Sequence, residues 1–114
     1  MKTGKVYLLV SSDSTGLHEL YKIGITTGEI SNRIKSLSTG NPNKICCLDF
    51  YESKYYLQIE KALHARFRLS KTSSENEWFN LNETEIVNFK QICKKLESDF
   101  KLLKSSTLHD NFSF

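Results

Sequence analysis

Two short stretches near the start of the chain set its pattern, Lys5-Val6-Tyr7-Leu8-Leu9 and Tyr21-Lys22-Ile23-Gly24-Ile25-Thr26. Side chains alternate faces along a β-strand, so parity sorts these residues. Val6, Leu8 and Val10 share one face with Tyr21, Ile23 and Ile25 if the strands pair as a hairpin. Tyr7, Lys22 and Gly24 then share the other face. There the missing side chain of Gly24 leaves a bare patch that a substrate backbone could approach. Ser11 to Glu19 is a loop by composition, and His18 within it is expected to be exposed.

The period then changes. Thr26 and Glu29 have the spacing of a capping box, and Ile30, Ile34 and Leu37 follow at helical spacing, with Arg33 beside the stripe. Gly40 and Pro42 stop that helix. Ile45 to Tyr51 reads as a third strand. Ser53 is expected to cap a second helix that runs to about Leu69, with Tyr56, Ile59, Leu63 and Phe67 as its apolar stripe. Glu60 and His64 lie four apart and so stack on one face beside that stripe. Lys71 to Asn76 is a polar loop, and Glu77-Trp78-Phe79-Asn80-Leu81 is a short extended segment whose two rings are read as core. Asn82 and Glu85 form another capping box. They open a last helix over about 83–103 with a seam of Ile86, Phe89, Cys93, Leu96, Phe100 and Leu103. Full burial of that seam would be worth on the order of 10 kcal/mol at most, so it must be covered, by the domain or by a second chain.

The expected fold is therefore α/β (α+β): a small three-stranded, mainly antiparallel sheet flanked by helices, with a long amphipathic C-terminal helix. One domain is expected over 1–104, with a flexible polar tail over 105–114. Composition narrows the function little. A formal charge of +3 permits nucleic-acid binding without demanding it. Three cysteines, Cys46, Cys47 and Cys93, with no CxxC pair, suit a reducing cytoplasm and a packing role. No apolar run is long enough to span a membrane and no leader pattern opens the chain, so a membrane partner is not expected.

Taken in order, Tyr7, then Lys22-Ile23-Gly24-Ile25-Thr26, then Arg33, then Glu60 resemble the motifs of the GIY-YIG nuclease superfamily. Leu37-Ser38-Thr39-Gly40-Asn41-Pro42, Glu60-x-x-x-His64-x-x-Phe67 and Glu77-Trp78-Phe79 resemble its phage-type branch, in which Lys at the second motif is usual. The chain departs from the general pattern at Lys5, which replaces a Gly, and at Lys22, which replaces a Tyr. The family Asn after the catalytic Glu has no unique match; Asn76 and Asn80 both qualify.

The resemblance implies an endonuclease that hydrolyses phosphodiester bonds, DNA ahead of RNA, with one divalent ion, Mg²⁺ or Mn²⁺. Glu60 would be the metal ligand, with Glu77 as its rival. Arg33 would fork onto phosphate oxygens, which Lys could meet only as a point charge. Tyr7 would take a proton from water. A phenol is a poor base at neutral pH, so cations must stand near it, and Lys22 is the expected source. His64 would orient the site or accept a proton. Gly24, Thr26, Arg66 and Glu77 are expected to contact substrate. Lys61, Arg66, Arg68 and Lys71 either track a nucleic-acid backbone or only solvate the surface. Two other readings stand beside the enzyme: a non-catalytic nucleic-acid-binding domain, and a protein-interaction module that pairs as a homodimer through the last helix.

Overall fold

The computed structural model describes residues 2–71 and 78–112, the last eight of these by backbone course alone. In order, the elements are β1 (Gly4–Ser12), β2 (Glu19–Thr26), α1 (Ile30–Ser38), β3 (Lys44–Ser53), α2 (Tyr56–Arg66), a 3₁₀ turn (Arg68–Ser70), β4 (Trp78–Phe79), α3 (Glu83–Val87) and α4 (Phe89–Phe112). The sheet has four strands rather than three, in the order β3-β1-β2-β4, and all pairings are antiparallel. The fourth strand arises where only an extended segment was expected. Its two residues are too few to carry a strand period of their own.

β1 is central because its run from Val6 to Val10 is apolar on both faces, and both faces are covered. On one face Val6, Leu8 and Ile23 meet Ile59 and Leu63 of α2, Phe67 just after it, and Phe89 and Cys93 of α4. On the other, Tyr7, Leu9 and Ile45 meet Ile30, Ile34 and Leu37 of α1. The hairpin has the expected parity: Tyr7 lies opposite Gly24 and Leu9 opposite Lys22. β3 carries a bulge at Leu48, between the pairs Leu8–Asp49 and Leu9–Cys47. The extra residue flips the parity. Ile45 and Cys47 therefore face α1, whereas Asp49 and Tyr51 face α4, where Asp49 pairs with Lys90 at 3.3 Å.

Several local expectations change. The Thr26–Glu29 capping box does not form: the Thr26 hydroxyl accepts from the Gly28 N–H at 3.1 Å, and this tight turn delays α1 until Ile30, which leaves Glu29 at the cap position. Gly40 does end α1, with φ of +73°. Ser53 does not cap α2. Its hydroxyl accepts from the Tyr55 N–H at 3.0 Å and donates to Glu97, and the helix begins at Tyr56. The Asn82–Glu85 capping box forms with both hydrogen bonds, at 2.8 and 2.9 Å.

The last helix is broken at Asn88 into α3 and α4, although the apolar spacing runs through the break without a skip. Its backbone stays helical to Phe112, past the expected end at 103, since nothing from Lys104 to Phe112 is Gly or Pro. Residues 113–114 lie outside the described part. Phe89 and Cys93 are buried, and Leu96 and Phe100 pack on the same core, whereas Leu102 and Leu103 are exposed. The seam thus belongs to this domain up to Phe100. Among the described residues no helix is long and apolar enough to cross a membrane.

Candidate active site

β4 pairs with β2 only at Tyr21 and Lys22 among the described residues. Beyond Lys22, residues from both faces of the sheet converge beside β2. From the α1 face come Tyr7, Lys22, Gly24 and Arg33; from α2 come Glu60 and His64. With Ile23 and Ile25 they line one polar pocket of about 340 Å³.

Each side chain is held for a local reason. Tyr7 has no exposed surface, and its ring lies across Gly24. The bare position at Gly24 is where the Tyr7 ring lies, and Gly24 also lines the pocket. The Tyr7 hydroxyl accepts a hydrogen bond from Arg33 Nε at 3.3 Å, a long one. Arg33 stands one residue before the α1 core position Ile34, so it reaches over the sheet while its own surface stays exposed. Lys22 is buried, at 6% exposure, and its ammonium lies 5.8 Å from the centre of the Trp78 ring. Lysine is seldom buried so fully unless it is paired.

Glu60 and His64 are half-buried, one turn apart on α2. His64 Nε2 is 2.8 Å from the Ile23 carbonyl oxygen. A carbonyl only accepts, so Nε2 carries a hydrogen, and in the neutral ring proton acceptance falls to Nδ1. The edge of the His64 ring meets Phe79 at 5.2 Å between centroids and 87° between planes.

Of the expected substrate contacts, Thr26 and Arg66 are not in this pocket. Thr26 is engaged in the turn to Gly28. Arg66 lies over the Phe67 ring and lines a separate groove of about 550 Å³ with Ile92, Leu96 and Asp99. Glu77, like Asn76, lies outside the described residues. Asn80 is exposed, and its N–H binds the Ser70 carbonyl at 2.7 Å, away from the pocket. The sequence reading missed the polar contacts made through β4. Trp78 and Phe79 do pack as core, but each also touches a polar group of the pocket. The signal was available in principle, since both stand within the aromatic segment that follows the polar loop.

Glu60 offers one hard carboxylate. Among the described residues no group of three His, Cys, Asp or Glu could enclose a metal ion. That donor set fits Mg²⁺ or Mn²⁺ completed by water and substrate phosphate, and does not fit a closed structural zinc site.

In comparison with known proteins, the family model described as the T5orf172 domain matches residues 4–94. No curated protein and no solved structure matches the chain.

Proposed function

Because the chain belongs to the T5orf172 domain family, a phage-associated group related to nuclease-like folds, we propose that it is a metal-dependent endonuclease of GIY-YIG type. It hydrolyses phosphodiester bonds of nucleic acid, with DNA as the first substrate to try. The observation that carries this reading is the gathering of Tyr7, Lys22, Arg33, Glu60 and His64 around one polar pocket.

The roles follow from chemistry. Lys22 and Arg33 place two cations on one wall, where phosphate oxygens bearing the charge of the transition state are stabilised. Arg33 Nε is engaged by Tyr7, so contact with phosphate falls to its terminal nitrogens. Glu60 holds the divalent ion, Mg²⁺ or Mn²⁺, which when bound supplies Lewis acidity and an acidified water. His64, fixed by Ile23 and Phe79, presents Nδ1 as a proton acceptor. Tyr7 orients Arg33, and it takes a proton only if substrate binding opens the covered phenol to water.

A second reading is a nucleic-acid-binding module without cleavage. The complete burial of Tyr7 favours it, because a base that water cannot reach does no chemistry. A carboxylate at Glu60, where phosphate must sit, argues against it.

The test is incubation with single-stranded, duplex and branched DNA and with RNA, each with Mg²⁺, Mn²⁺ or EDTA, for wild type and Glu60→Gln. The expected result is cleavage by wild type that EDTA abolishes and Glu60→Gln lacks, with the unfolding midpoint unchanged. Binding without cleavage by either protein would establish the second reading.

A further inference from the structure

β4 contains two residues, yet each touches a polar group of the pocket. Trp78 is the cross-strand partner of Lys22, and Phe79 that of Tyr21. Directly opposed residues of an antiparallel pair have Cβ atoms about 4.5–5.5 Å apart on one face. The register therefore sets the indole beside the Lys22 stem by backbone geometry alone. Trp78 is half-buried, packed against the cluster of Tyr7, Leu9 and Ile45, so its ring is held by the α1-face core. The Lys22 ammonium lies over that ring at 5.8 Å. A lysine has a long stem with many rotamers, and a fixed π-face removes most of them.

We propose that Trp78 is a positioning residue of this pocket: its indole face holds the Lys22 ammonium where a phosphate meets it, and Trp78 itself does not touch the substrate. The inference rests on reading the pocket as a phosphodiester site. It is consistent with Trp78 contacting Lys22 while not being among the residues that line the pocket. It also gives the short β4 a function beyond closing the sheet. Phe79 serves His64 in the same way: its ring and the Ile23 carbonyl hold the imidazole from two sides.

The free protein tests the geometry. Lys22 methylene NMR resonances, assigned by their loss in Lys22→Met, are expected upfield of the other lysines through the indole ring current. They are expected to return to ordinary positions in Trp78→Leu. The role is tested by binding of a short DNA duplex in EDTA. Trp78→Phe keeps a ring face and is expected to bind within about threefold of wild type, whereas Trp78→Leu loses roughly tenfold. The unfolding midpoints of the two variants are expected to be alike, and if Trp78→Leu does not fold, Trp78→Phe and Trp78→Met make the same comparison. Trp78 is the chain's one tryptophan, so its emission in wild type is expected to change as the duplex binds, and not to change in Lys22→Met. Unshifted Lys22 resonances in wild type overturn the inference. So does wild-type affinity in Trp78→Leu when Lys22→Met binds weakly. A wild type that binds no nucleic acid overturns the phosphodiester reading, and the role of Trp78 with it, whatever the resonances show.

Discussion

The ring of Tyr7 rests on the backbone of Gly24: a Cβ built on residue 24 would meet the phenol oxygen and come within 2.6 Å of Cζ and 2.8 Å of Cε1. Tyr7 is fully buried among Leu9, Ile45 and the α1 stripe, so the ring cannot swing aside at little cost. Gly24→Ala is therefore expected to destabilise the protein by about 1–3 kcal/mol, as overpacking does. It is also expected to break the Tyr7–Arg33 contact and lower any cleavage. Gly28→Ala is the control, since the nearest atom to its Cβ would be 3.8 Å away. Equal denaturation midpoints for the two variants would show that the ring yields.

Arg33→Lys is expected to lose most cleavage although the charge is kept. The guanidinium binds Tyr7 through Nε and is a planar fork that matches phosphate oxygens, whereas an ammonium is a single point. Stability should stay within about 0.5 kcal/mol, because Arg33 is exposed. Single-turnover cleavage at saturating duplex checks it. A wild-type rate would reduce Arg33 to a contributor of general positive potential.

The hairpin and its parity were legible because Tyr21 to Ile25 alternates and Val6 to Val10 is an unbroken apolar run with Tyr7 on the other face from Val6 and Leu8, and the Asn82–Glu85 cap because its chemistry is local. Three features were not legible. The bulge at Leu48 reverses the faces of β3, and no residue type marks it; read with an unbroken period, Tyr51 would lie on the α1 face with Ile45 and Cys47. The position of Tyr7 on Gly24 is a contact across strands, visible only once the register pairs them. β4 exists because a neighbour offers an edge, which two residues cannot announce on their own. Within the site, spacing along α2 put Glu60 and His64 on one face. It could not show that they meet residues from the opposite face of the sheet.

Beyond the bulge, Tyr51 and Ser53 both donate to Glu97 of α4, Tyr51 at 2.9 Å, and Lys101 lies 3.6 Å from the same carboxylate. Burial alone would raise the Glu97 pKa, but the two hydroxyls and the ammonium outweigh it and hold the carboxyl below its usual range. A depressed carboxylate stabilises the fold above its unfolded pKa, and that stability is lost as pH falls through the folded value. The Tyr51 hydroxyl is pushed up to about 12 by burial first and then by Glu97. Its contribution is present below the ordinary tyrosine range, about 10, and is lost as pH rises toward 12. Wild type is thus expected to lose unfolding midpoint below the ordinary glutamate range and again above pH of about 10. Glu97→Gln should flatten the acid arm. An acid arm identical in both proteins would assign that loss to other carboxylates.

The C-terminal helix separates two kinds of apolar residue. Phe100 stacks on Tyr55 at 6.3 Å and belongs to the core cluster, whereas Leu103, next on the same seam, is 60% exposed. Phe100→Glu places a charge against Tyr55 and removes a packed ring, so a loss of about 3 kcal/mol is expected. Leu103→Glu meets mainly solvent and should change stability by less than about 0.5 kcal/mol. The same contrast bears on pairing of two chains. Leu96 and Phe100 are engaged within their own domain, and among the described residues the exposed apolar side chains at the end of this helix are Leu102 and Leu103, so pairing of two chains is expected to use them. Sedimentation of wild type, Phe100→Glu and Leu103→Glu decides the matter. Pairing through the helix end predicts a dimer that Leu103→Glu dissolves while its thermal midpoint holds at low concentration. A wild-type monomer leaves these leucines as ordinary surface residues.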